Sequence, residues 1–309
     1  MSDETKQLCS NAYTCEWCGA YSTIRTCSGC KEARYCGKSC QASHWAEHRG
    51  LCQQIQAERE KKENRKNLGL ALWDASFLGK APEVRILLAS GADPRYRLEE
   101  GECKGIFPLL VASQFGHVDV IQAFVAGGAD PNQVGGEFSS SSLYVAAQFN
   151  QPRSIAALVR AGAAVNLASS EGCTPLNMAV QEGNREAVVA LLVARAAVNV
   201  AIDQGVSPLS YAAQLRHVEI LKLLLRAKAE VDQASINVYT PLMIAAFQGH
   251  LACVDRLLAG GANVHHKNND GFSALDQTTH FKHTAVEAVL RAHLAKQEEQ
   301  RSGTGAPRT

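Results

Sequence analysis

Thr240-Pro241-Leu242-Met243-Ile244-Ala245-Ala246-Phe247-Gln248-Gly249-His250-Leu251-Ala252-Cys253-Val254-Asp255-Arg256-Leu257-Leu258-Ala259-Gly260-Gly261-Ala262 is the stretch that decides the fold. It reads as two short helices with a break between them. Pro241 suits a first helical turn, where its missing N–H costs nothing. Leu242, Ala245 and Ala246 give that helix a thin apolar face. Gly249-His250 interrupts the chain. Val254, Leu257 and Leu258 make the apolar face of the second helix, and Gly261 fits the left-handed residue that closes it.

The pattern returns along the chain. Thr174-Pro175-Leu176, Ser207-Pro208-Leu209 and Thr240-Pro241-Leu242 set prolines 33 residues apart, and Pro108, Ser142 and Ala274 fill the equivalent places. A second marker, Gly-Ala-Asp or a relative, begins at Gly91, Gly128, Gly162, Arg195, Lys228 and Gly261, at steps of 37, 34, 33, 33 and 33. Two markers that keep one period identify a repeat architecture. Each unit is a turn, a short helix, a tight turn, a second helix and a closing glycine.

The repeat resembles the ankyrin repeat, over residues 67–296. Six units are recognisable, with a degenerate seventh (268–294) that lacks the closing Gly-Ala and serves as a cap. The first unit, from Leu70-Ala71-Leu72, is weak. The resemblance implies a mostly α fold, a helical solenoid. The chain departs from the family's Thr-Pro-Leu-His tetrad: the His position holds Leu110, Tyr144, Asn177, Ser210, Met243 and Asp276. Arg195 and Lys228 replace the closing glycine at a cost of about 1 kcal/mol each. Units four and five are therefore expected to end their helices differently or to be locally weaker.

The other end of the chain is cysteine-rich. Eight of the eleven cysteines lie in the first 52 residues. The start, Met1-Ser2-Asp3-Glu4-Thr5-Lys6, has no apolar core, so no secretory signal is expected. The expected location is cytoplasmic or nuclear. There, such crowding reads as metal binding and not as a disulfide framework. The spacing is Cys15-x2-Cys18-x8-Cys27-x2-Cys30-x5-Cys36-x3-Cys40-x7-His48-x3-Cys52, which makes eight ligands in four pairs. Eight such ligands fill two tetrahedral zinc sites, with no position open for a reactive water. Cys36/Cys40 and His48/Cys52 are four apart, so each pair can chelate from one helical turn. Spacing leaves two arrangements: sequential, Cys15/Cys18 with Cys27/Cys30, or interleaved, Cys15/Cys18 with Cys36/Cys40 and Cys27/Cys30 with His48/Cys52.

Cys27-Ser28-Gly29-Cys30-Lys31-Glu32-Ala33-Arg34-Tyr35-Cys36-Gly37-Lys38-Ser39-Cys40-Gln41, followed by Trp45, His48 and Cys52, resembles a MYND-type zinc finger across residues 15–52. The resemblance implies two structural zinc ions bound in the interleaved manner. It also implies His48, through the Trp-x2-His pattern, as the ligand in preference to His44. MYND fingers dock proline-containing peptides, in a groove that here corresponds to Ser28, Gln41 and Trp45. Cys9 falls outside the pattern, on a flexible N-terminus (1–14).

Charge limits the function classes. Lys and Arg number 31 and Asp and Glu 30, for a net charge of +1. Seven zinc-bound thiolates against two zinc ions also bring the basic head, residues 1–66, close to neutral. Nucleic-acid binding rests mainly on phosphate neutralisation, so direct DNA or RNA binding is not expected. No apolar run reaches 18 residues, so neither is a membrane span.

Between finger and repeats, residues 53–66 hold good helix formers and neither Gly nor Pro, which predicts a charged helical linker. Residues 297–309 read as a disordered tail. The repeat body shows no catalytic constellation and no small-molecule substrate site. His117, His217, His250 and His283 are expected to stabilise inter-helix turns, and Cys103, Cys173 and Cys253 have no paired spacing. MYND fingers also accompany SET methyltransferase domains, but no such segment is present in this chain.

The expected contact surface is the face of turn tips and first helices. Gln114, Gln148, Gln181 and Gln214 share one position there, with Phe247 in the next unit. Phe115, Phe149, Glu182, Leu215 and Gln248 lie next to them, and Phe115 and Phe149 either form an exposed patch or pack on the next unit. The loop Arg95–Gly105, with Tyr96, Arg97 and Lys104, is a second candidate. The sequence therefore describes a non-enzymatic, zinc-binding adaptor whose partners are proteins. Two rival readings stand beside it: a transcription or chromatin cofactor that recruits corepressors through the finger, and a regulatory subunit of a methyltransferase or ubiquitin ligase. The ligand spacing predicts two zinc ions per purified chain by metal analysis; a value near one or zero contradicts it.

Overall fold

The computed structural model describes residues 13–14, 21–22, 25–26, 34–35, 45–101, 103–202 and 205–303. The chain divides into two compact units, Met1–Leu68 and Gly69–Thr309.

In the first unit, β1 (Tyr13–Thr14) pairs antiparallel with β2 (Tyr21–Ser22), in the register Tyr13↔Ser22 and Thr14↔Tyr21. β3 (Arg25–Thr26) pairs likewise with β4 (Arg34–Tyr35). Helix α1 (Trp45–Phe77) then runs for 33 residues. It spans the whole linker segment and passes the repeat boundary read at residue 66, because nothing between 53 and 68 can stop a helix. Gly69 is the weak point of this helix. A Cβ there would lie 2.3 Å from the ring of Tyr96, so the glycine leaves space for the aromatic side chain of the following loop.

In the second unit the last turns of α1 and α2 (Ala81–Ala89) form the first helix pair. Five pairs follow: α3 (Pro108–Gln114) with α4 (Val118–Ala126), α5 (Ser142–Gln148) with α6 (Pro152–Arg160), α7 (Pro175–Gln181) with α8 (Arg185–Val193), α9 (Pro208–Gln214) with α10 (Val218–Arg226), and α11 (Pro241–Phe247) with α12 (Leu251–Ala259). The last pair is α13 (Ala274–His280) with α14 (Thr284–Gly303). From α3 onward, first helices pack on first helices, and from α2 onward second helices pack on second helices, giving two layers. A short hairpin of β5 (Val134–Gly135) and β6 (Ser140–Ser141) leads into α5.

The repeat markers have physical roles. Thr174, Ser207 and Thr240 are N-caps whose hydroxyls accept the N–H of the residue three positions on, and Ser141 and Ser273 do the same. Leu143, Leu176 and Leu242 are fully buried, as are Ala112, Ala146, Ala179, Ala212 and Ala245, so small and branched side chains alternate through the first-helix layer. Asp276, at the tetrad's His position, completes a capping box by accepting from the Ser273 backbone N–H at 2.8 Å.

Two expectations need correction. Arg195 and Lys228 do not end their helices differently: they adopt φ of 62° and 63°. Ala196 N–H donates to the Leu191 carbonyl at 2.9 Å, just as Ala262 N–H donates to Leu257 at 3.0 Å. The turn is retained and these two residues carry its conformational cost. The C-terminal segment is also helical further than expected. α14 continues to Gly303, because Lys296–Arg301 are strong helix formers and Ser302-Gly303 is the first sequence that opposes them.

Polar side chains join successive units. His117 Nε2 lies 3.1 Å from the Phe77 carbonyl, and Gln151 Nε2 donates to the Gln114 carbonyl at 3.1 Å. Asn184 Nδ2 donates to the Ala147 and Gln148 carbonyls at 2.9 and 2.7 Å. His250 Nδ1 and His283 Nε2 lie 3.0 and 2.9 Å from the carbonyls of Ala213 and Phe247. Each carbonyl belongs to one of the last two residues of the preceding unit's first helix, where it has no partner within the helix. His117, His250 and His283 therefore tie one unit to the one before, beyond the turn-stabilising role expected of them. A second ladder runs through the turns: Asn132, Asn166, Asn199 and Asp232 accept the backbone N–H of Ala164, Ala197, Glu230 and Asn263 at 2.7 to 3.0 Å.

Two glycines separate the effects of conformation and space. Gly261 has φ of 88° and nothing within 4 Å of an added Cβ, whereas a Cβ on Gly249 (φ 72°) would lie 2.6 Å from His283 Nδ1. Gly261→Ala is expected to cost about 1 kcal/mol, and Gly249→Ala clearly more, because the methyl displaces the imidazole. Denaturant unfolding of both variants checks this; equal losses contradict it.

Candidate functional site

The finger's ligand set is distributed over short elements. Cys15 and Cys18 fall in sequence between β1 and β2, and Cys27 and Cys30 between β3 and β4. These four cysteines, with Cys36 and Cys40, lie outside the described residues. His48 and Cys52 are both in α1, one turn apart, and Cys52 is buried. The donor chemistry fits zinc: thiolate and imidazole in C-x2-C and i, i+4 pairs, two of them bracketed by hairpins and one on a helix. Of the proposed peptide groove, Ser28 and Gln41 lie outside the described residues. Trp45 opens α1, but its side chain is outside them too.

The first-helix layer offers the second candidate site. α3, α5, α7, α9 and α11 contain no charged residue. Gln114, Gln148, Gln181 and Gln214 each close one of these helices, and Phe247 closes α11. Phe115 and Phe149, the following residues in their units, are 44% and 46% exposed. Phe115 also packs edge-on against Phe77, with ring centroids 4.9 Å apart, and Phe77 stacks on Trp73 at 5.7 Å. At the far end Phe247 meets Phe281 edge-on at 4.5 Å. For Phe115 the two readings of the sequence thus combine: one edge of the ring packs on the neighbouring unit while the rest faces solvent.

Between units five and six this face opens into a cavity of about 270 Å³, lined by Val206, Tyr239, Ile244, Phe247, Gln214 and Gln248. Apolar walls with a polar rim suit an apolar side chain more than a charged one. The sequence reading missed this cavity. Its only signal was the large residues Val206 and Tyr239 immediately before the N-caps Ser207 and Thr240.

The other candidates are engaged within the protein. In the Arg95–Gly105 loop, Tyr96 lies over Gly69, and the Arg97 guanidinium donates to the Val134 carbonyl at 2.7 Å. Lys104 remains exposed. Cys173 and Cys253 are buried, and burial pushes both thiols up, which keeps them protonated and weakly nucleophilic. Burial, together with the neighbouring Cys173 thiol, also raises the Tyr144 hydroxyl above its ordinary range. No described helix is long and apolar enough to cross a membrane.

Comparison with known proteins agrees with this arrangement. The MYND finger family matches residues 15–52. Ankyrin repeats match at 104–135 and 237–269, and a three-copy ankyrin array matches 143–235. The ankyrin repeat and KH domain-containing protein mask-1 of Caenorhabditis elegans is 31% identical over 118 residues, which is 38% of this chain and 4% of that protein. Tudor domain-containing protein 1 of Mus musculus is 37% identical over 54 residues, 18% of this chain and 4% of that protein. This chain thus matches only a small part of these relatives. The crystal structure of the human ASB11 ankyrin repeat domain superimposes with a TM-score of 0.62 at 27% identity, covering 72% of this chain and 96% of that one. Ankyrin repeats and MYND fingers are typically non-catalytic interaction modules, and the MYND finger is a zinc-binding one. The chain carries a MYND finger at residues 15–52 followed by a solenoid of ankyrin repeats.

Proposed function

We propose that this chain is an adaptor with two docking surfaces and no catalytic role, working in the cytoplasm or nucleus. The observation that carries the reading is the partly apolar face that α3, α5, α7, α9 and α11, helices without a charged residue, leave open to solvent. A stable fold has no need of exposed phenylalanines in successive units, whereas a contact surface does.

In this reading Cys15, Cys18, Cys27, Cys30, Cys36, Cys40, His48 and Cys52 hold two zinc ions in the interleaved arrangement. Zinc supplies the cross-links that a segment of this size lacks in apolar core. The finger's groove, built from Ser28, Gln41 and Trp45, takes a proline-containing peptide, and the first-helix face takes a second protein. Two modest contacts on one chain add up to strong capture when both ligands belong to one assembly.

Affinity purification of the full chain tests this, beside Cys36→Ala, which breaks the metal set, and Gln181→Lys/Gln214→Lys, which places cations on this face. The expected result is two sets of protein partners, each reduced about tenfold or more by one variant and untouched by the other. Corepressors in the finger-dependent set would specify the cofactor role, and a methyltransferase or ubiquitin ligase in either set would specify the regulatory-subunit role. Retention of every partner by both variants contradicts the adaptor reading.

A further inference from the structure

The glutamine row has a chemistry of its own. Gln114, Gln148, Gln181 and Gln214 recur once per unit at the last position of successive first helices. Among the described residues, none of their side-chain amides has a hydrogen-bond partner within the protein. A carboxamide offers one acceptor and two donors, which is the complement of a peptide group. The row is thus a set of regularly spaced backbone-reading groups.

The spacing selects the conformation that can be read. Packed helices lie about 8–10 Å apart. A polyproline-type strand rises about 3.1 Å per residue with three residues per turn, so one side of it returns every ~9 Å. One glutamine therefore meets every third residue without loss of register. A β-strand returns the same side every ~6.6 Å and falls out of step within two units.

Charge and shape select the sequence. The helices α3, α5, α7, α9 and α11 carry no charged residue, and of the residues that directly follow them only Glu182 is charged, so a peptide bearing several charges would lose hydration on this face and gain at most one partner. The row ends at Gln214, which itself lines the cavity between units five and six, beside Val206, Tyr239, Ile244 and Phe247. Backbone reading thus leads directly into an apolar anchor site.

We propose that the first-helix face binds an uncharged, extended peptide of polyproline-type conformation, read along Gln114, Gln148, Gln181 and Gln214 and anchored by one apolar side chain in the cavity bordered by Phe247. The proposal rests on the adaptor reading of this face and names the chemistry of its ligand. Its strand conformation is compatible with proline at any position that makes no backbone N–H contact.

The test is a selection of random 15-residue peptides displayed on phage against the full wild-type chain. Synthetic versions of the binders are then titrated by fluorescence anisotropy against wild type, Gln181→Lys/Gln214→Lys, Gln181→Ala/Gln214→Ala and Trp45→Ala chains. Both glutamines are exposed, so both double variants should melt like wild type by circular dichroism. The expected result is a class of peptides that Trp45→Ala leaves unaffected and that both double variants weaken about tenfold or more. These peptides should be free of Asp, Glu, Lys and Arg in the bound stretch, carry one large apolar residue, and show polyproline-type circular dichroism. Face-dependent peptides that are charged or helical overturn the proposal and leave the adaptor reading intact. A selection in which neither double variant weakens any peptide overturns both.

Discussion

The repeat unit depends on the contact between one helix pair and the next. Helices of seven to nine residues are too short to persist alone in water. Each is held because Leu143, Leu176 and Leu242, with alanines such as Ala146, Ala179 and Ala245, are buried in the layer that successive first helices share. The helix ends are settled in the same way. The carbonyls of Phe77, Gln114, Ala213 and Phe247, which their own helices leave unpaired, meet His117, Gln151, His250 and His283 of the following unit. Stability therefore accumulates over units and interfaces, and side chains outside those interfaces are free to serve other purposes.

That division explains why the first helices can do without charge. Buried positions carry leucine and alanine, capping positions after the first of these helices carry Ser or Thr, and the half-buried to exposed position at the helix end repeats glutamine through four units. The second helices carry the ion pairs instead, including Lys222 with Glu219 and Arg291 with Glu287. These pairs are exposed and contribute little to stability, but they keep the outer layer hydrated. The inner layer is left apolar, amide-rich and neutral.

The period of the solenoid was legible in the sequence because Pro175, Pro208 and Pro241 and the glycine markers report local conformation, which needs no distant partner. The same locality made the MYND finger at residues 15–52 readable. The inter-unit bonds were not readable in this way. His283 looks like a turn residue until its partner, the Phe247 carbonyl 36 residues earlier, is in view. Gln151 and Asn184 occupy the same position as these histidines and share the role without sharing the residue type. Arg195 and Lys228 show the opposite failure: local propensity argued for a changed turn, and the surrounding packing imposed the common one. At the C-terminus, composition suggested disorder, yet helix-forming residues carry α14 to Gly303.

The MYND finger is a zinc-binding module, the solenoid is held by buried apolar contacts, and the chain divides between them at Leu68. The near-neutral charge of the whole sequence has a counterpart in first helices that carry no charged residue. The central claim is that the two modules fold on separate terms. Hydrogen exchange of the full chain before and after zinc chelation tests it most directly. The account predicts that amide protection falls across residues 15–52 while residues 80–294 keep theirs. Loss of protection through the repeats on metal removal would contradict it.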